Sequence, residues 1–136
     1  MAGLILILVP TIQYGGYFLL KQLSDPASGY IASPLREDLE RAGHAHAGVI
    51  ILLSLIGQLL ADHASLPRTL AWLVRVGLPV SAMLLSAGFF LAAPAAGADR
   101  PGGMIALVYA GAILLAVSVL TLAVGLLRPA RANAPA

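Results

Sequence analysis

Four long apolar stretches, separated by polar connections, constrain this 136-residue chain more than any other feature. They run from about Ala2 to Leu20, Gly43 to Ala61, Leu70 to Ala93 and Gly103 to Leu127. A helix needs roughly 20 apolar residues to cross the hydrocarbon of a bilayer, and each stretch comes to about that length. Hydrophobic residues make up 60% of the chain and charged residues 10%, more apolar surface than a soluble domain of this size keeps from water. Lipid accepts such a surface, provided that backbone groups are paired inside helices. The expectation is therefore an all-α fold: one domain, residues 1–136, forming an integral membrane four-helix bundle that runs up-down-up-down. The connections "DHASLPR" and "PAAGADRPGG" are short, which makes neighbouring helices antiparallel.

The connection "KQLSDPASGYIASPLREDLE" is longer. It carries turn signals at Asp25-Pro26 and Ser33-Pro34, then the charged cluster Arg36, Glu37, Asp38, Glu40 and Arg41. Because it leads straight into two histidines, we expect an extramembrane cap or lid over a site. The first stretch lacks a basic leading region and a small-residue cleavage site, so it reads as a retained helix. The tail "RPARANAPA", residues 128–136, reads as a frayed end. Positive residues divide equally between the two faces: Arg68, Arg75, Arg128 and Arg131 against Lys21, Arg36, Arg41 and Arg100. Five of the six acids lie on the second face, which tips the expectation towards both termini being cytoplasmic. A net charge of +2 gives no basic face for nucleic acid. With no cysteine, disulfides, thiolate metal sites and covalent haem attachment are excluded.

Antiparallel helices also let depth be read from sequence. Tyr14, Tyr17, His44, His46, Phe89, Phe90 and Tyr109 fall near one membrane face, and His63 and Trp72 near the other. The aromatic residues fit an interfacial belt; Tyr14 and Tyr17, one turn apart with Gln13 nearby, also fit the wall of a pocket. Ser54, Gln58, Ser81, Ser86 and Ser118 read as hydrogen-bonding groups between helices. Gly15, Gly16, Gly48, Gly57, Gly88 and Gly111 allow close approach, either of a helix or of a planar ligand.

The histidines open a different question, because ionisable groups inside a bilayer are rare and mark functional sites by default. Two helical residues apart, His44 and His46 are turned by about 200° and cannot chelate one ion together. A zinc site would want further His, Asp or Glu ligands at that depth, and the helices supply none. A single imidazole at the mouth of an apolar, aromatic slot suits an axial ligand to haem, whose iron already has four nitrogen ligands. Snorkelling interfacial histidines are the alternative at this point.

The run from "GYIASPLREDLERAGHAHAGVIILLSL" to "RVGLPVSAMLLSAGFFLAAPAAGADRPGG" resembles the styrene oxide isomerase family of small, four-helix bacterial membrane proteins. The likeness rests on Gly29-Tyr30-Ile31, on "RAGHAHAG" where the family has Ala-Arg-Ala-His-Ser-Gly, and on Gly88-Phe89-Phe90 where it has Gly-Phe-Tyr. It covers about three-quarters of the chain, in motifs that are each short. It implies a homotrimer in the bacterial cytoplasmic membrane, haem b between neighbouring subunits, and a small apolar substrate. In the family the iron is a Lewis acid towards an epoxide, which is rearranged to an aldehyde. On the best match His46 is the axial ligand and thereby the catalytic metal ligand, with His44 and Gly48 beside the cofactor. A match shifted by one residue makes His44 the ligand. Tyr14, Tyr17, Leu52, Phe89, Phe90 and Tyr109 form the expected substrate pocket. Leu52 stands where the family has asparagine, and Phe90 where it has tyrosine. Losing an oriented hydrogen-bond donor typically costs roughly 10²–10³ in rate. A haem-binding membrane protein without isomerase activity, serving sensing, electron transfer or haem handling, is the rival reading.

Overall fold

A computed structural model describes residues 1–95 and 98–129, and among these it is all-helical. Residues 130–136, most of the expected frayed tail, lie outside the described residues, as do 96–97 of the last connection. Four helices are long and apolar enough to cross a membrane, with the first formed by two segments. These are α1, Ala2–Leu6, and α2, Val9–Ser24. Pro10 causes the break, since it has no N–H to donate and its ring crowds the carbonyl four residues back, on Leu6. A 3₁₀ turn, Pro26–Ser28, follows, and then α3, Pro34–Ala61, α4, Arg68–Ala92, and α5, Ile105–Leu127.

The start of α3 departs from expectation. The apolar stretch begins at Gly43, but the helix begins at Pro34, so the long connection contracts to residues 25–33. Proline suits a first helical position, and Glu37 lies in the first turn. Arg36 Nε binds Glu40 Oε1 at 2.9 Å, and Arg41 Nη1 binds Glu37 Oε1 at 2.8 Å, both one turn apart. The charged cluster thus continues the helix instead of making a loop. Gly29 closes the 3₁₀ turn with φ 65°, a left-handed conformation that glycine adopts without a Cβ clash. Tyr30 is fully buried beside it. Its hydroxyl donates to the Glu37 carbonyl at 3.4 Å and its ring lies 5.8 Å from the Arg36 guanidinium.

Contacts between consecutive helices run in opposite order along the chain. Gly16 meets His44, Gly43 meets Phe90, and Gly57 meets Leu78. Likewise Gly88 meets Val108 and Gly111 meets Leu85. These glycines let the helix pairs approach closely: a Cβ on Gly88 would sit 2.7 Å from the Val108 nitrogen, and one on Gly111 2.8 Å from the Leu85 nitrogen. Two buried clusters fill the interior, Ile5, Ile50, Ile51, Ala82 and Leu85 in one and Ala61, Val74, Leu78 and Leu122 in the other.

Pro79, inside α4, leaves the carbonyl of Arg75 without its helical donor. Gln58 of α3 supplies one, its Nε2 lying 2.9 Å from that oxygen. Arg75 returns the contact through Nη1 to the Gln58 carbonyl at 3.3 Å, and its Nη2 binds Asp62. Ser54 and Ser81, both fully buried, donate within their own helices, to Ile50 and Leu78. Ser86 and Ser118 have buried hydroxyls without a partner. Of the expected interhelical hydrogen bonds, the one from Gln58 is present.

Candidate functional site

α3 carries both histidines past the other helices, and their 200° separation sends them to opposite flanks. His44 turns towards α2. A Cβ on Gly16 would lie 3.2 Å from its Cε1, and one on Gly15 3.4 Å from its Nδ1. The adjacent glycines therefore make a notch that the imidazole fills. Beside it an open groove of about 580 Å3 is lined by Val9, Ile12, Gln13, Gly16, His44, Ala45, Gly48, Val49, Ile51 and Leu52. Its wall is almost wholly apolar, with Gln13 and His44 the polar side chains.

His46 lies on the other flank and is exposed. Its ring centroid is 5.1 Å from that of Phe89, tilted by 37°. Its Nδ1 is 2.7 Å from the Ala42 carbonyl. A carbonyl only accepts, so that nitrogen carries the proton, and in the neutral ring Nε2 keeps its lone pair. Tying one ring nitrogen to a backbone oxygen is the usual way to fix the tautomer and orientation of a metal-binding histidine. His63 has a similar bond, 3.0 Å to the Leu59 carbonyl, at the far end of the bundle.

The other expected site residues divide into three groups. Leu52 and Gly48 share the groove with His44. Phe89 backs His46, while Phe90 packs on Gly43 and meets Phe18 edge-on at 6.4 Å. Tyr14, Tyr17 and Tyr109 lie on outer faces, each more than 60% exposed, with the first two rings 6.3 Å apart. Within one chain these residues do not converge on a single pocket: Leu52 lies deeper, beside Val9 and Ile12, while Phe90 lies at the level of Gly43 and Phe18. Phe18 and the Ala42 carbonyl were missed in the sequence. The first could have been found, standing one turn beyond Tyr14; the second could not, because any residue has a carbonyl.

Among the described residues no group of three or more His, Cys, Asp or Glu is placed to hold a metal ion. A site of that kind would have to draw on a cofactor's own ligands. The donor set fits haem: a lone imidazole with one nitrogen fixed, the other free, and an aromatic ring behind it. Comparison with protein-family models, with curated proteins and with solved structures finds no match to this chain.

Proposed function

We propose that this chain is a multi-pass protein of the bacterial cytoplasmic membrane, with both termini cytoplasmic, that binds haem b through His46 and acts as an isomerase on a small apolar epoxide. The observation that carries the reading is His46 itself: exposed, its Nδ1 held by Ala42 and its Nε2 left to bind. The resemblance of the "RAGHAHAG" run to the isomerase motif points to the same residue. Bilayer placement is supported by four spans whose outer faces are apolar as well as their inner ones.

The two flanks of α3 favour assembly. His46 is on one, and the apolar groove with His44, Gly48 and Leu52 on the other. One chain cannot bring both to bear on one macrocycle. Copies arranged head to tail can, because each then offers its His46 to the groove of the next, and such contacts close into a ring. A trimer is the ring that the family likeness implies.

When bound, haem would supply a Lewis-acidic iron able to polarise an epoxide oxygen. The residues of the chain do the rest. The groove keeps water from the reacting carbon atoms, and its shape holds the substrate. Leu52 and Phe90 offer no hydrogen bond, so positioning falls to packing and to Gln13. That apolar lining favours one second reading, a haem-binding membrane protein with no isomerase activity. Conversion of styrene oxide to phenylacetaldehyde tests the choice. We expect slow turnover above that of free haem, a preference for bulkier epoxides, and a faster rate when Leu52→Asn and Phe90→Tyr are combined. No turnover above free haem, with no gain from the double substitution, favours the non-catalytic reading.

A further inference from the structure

At the end of the bundle away from His44 and His46, two grooves meet at Leu66 and Arg128. One, of about 380 Å3, lies between the α3–α4 turn and the end of α5, with Ser65 and Arg128 in its wall. The other, of about 250 Å3, continues between α4 and α5 along Leu70, Leu120 and Val124. A polar compartment thus opens directly into an apolar one.

The polar compartment is held in place. The Ser65 N–H donates to the Gly125 carbonyl at 2.8 Å, and its hydroxyl to the Pro129 carbonyl at 3.2 Å. Gly125 lets the turn close on α5, since a Cβ there would lie 3.1 Å from Ala64 Cβ and nearer still to Leu66. Carbonyls at a helix C-terminus ordinarily repel an anion; Ser65 satisfies the one of Gly125 in the last turn of α5, and that of Pro129 just beyond the helix. The nearby Asp62 carboxylate is bound by Arg75. Arg68 and Arg128 make no ion pair among the described residues.

We propose that these joined grooves bind one anionic phospholipid, its phosphate against Arg128 and an acyl chain along Leu70, Leu120 and Val124. Charge selects the headgroup, and the apolar extension selects a lipid over a free phosphate, which has nothing to fill it. The site rests on the bilayer placement proposed above and is independent of haem.

Native mass spectrometry of the full chain in detergent tests it, with phosphatidylglycerol and phosphatidylcholine of identical acyl chains as probes and inorganic phosphate as competitor. Phosphatidylglycerol should be retained preferentially and should resist displacement by phosphate. Arg128→Gln should weaken its binding about fivefold and leave phosphatidylcholine unchanged. Val124→Trp, which fills the apolar groove, should weaken both. Equal binding of the two lipids, parent-like binding by Arg128→Gln, or displacement by phosphate overturns the proposal while leaving bilayer placement intact. A chain that fails to partition into phosphatidylcholine vesicles overturns both.

Discussion

Tyr30 holds the connection between α2 and α3 with one side chain. Burial, then the carboxylates of Glu40 and Glu37, raise its phenol above the ordinary value of 10.0, against smaller opposing effects of Arg41 and Arg36. A raised folded-state value favours the protonated form. The stability it contributes is therefore complete below 10.0 and is lost as pH rises through the folded value. Thermal unfolding followed from pH 9 upwards should show an alkaline loss that Tyr30→Phe removes; an unchanged profile would mean that Tyr30 is not its source. The histidines show how far residue-scale reading goes. Their separation on a helix was legible as opposite directions, from geometry alone. Which neighbour each would meet was not, because that depends on how α2 and α4 pack around α3. The Gly15-Gly16 pair, costly inside a helix, was the one local sign that something bulky would sit against α2.

At the scale of elements, α4 and α5 match their apolar stretches within about two residues, since hydropathy reports a helix that is apolar throughout. It does not report a polar one. The first nine residues of α3, Pro34 to Ala42, are helical through N-terminal proline and pairs one turn apart, a pattern present in the sequence but outvoted by its charge. The break in the first span is marked in the sequence by Pro10 alone, because the apolar run continues through it. The Gln58–Arg75 contact makes the sharpest element-scale prediction. Gln58→Leu leaves the Arg75 carbonyl without a donor and should destabilise the protein by about 1–3 kcal/mol. Pro79→Ala restores a helical N–H to that carbonyl, so Gln58→Leu should cost less in that background. Equal costs in both backgrounds, read from denaturation in detergent, would show that Gln58 does not serve the proline gap.

For the whole molecule, the α3 flanks bear on assembly. His46 and the groove containing His44 cannot face one ligand from a single chain, so haem and oligomer should be lost or kept together. We expect a trimer by mass measurement in detergent, with haem retained in the assembled form; a monodisperse monomer that keeps stoichiometric haem would rule out a site between copies. The central claim, that His46 binds haem, is tested most directly by the absorption spectrum of the purified protein beside its His46→Ala and His44→Ala variants. We predict a Soret band in the parent, its loss in His46→Ala, and a bound but shifted or weakened band in His44→Ala. A parent without a Soret band, or a band that survives His46→Ala and disappears in His44→Ala, would contradict that claim.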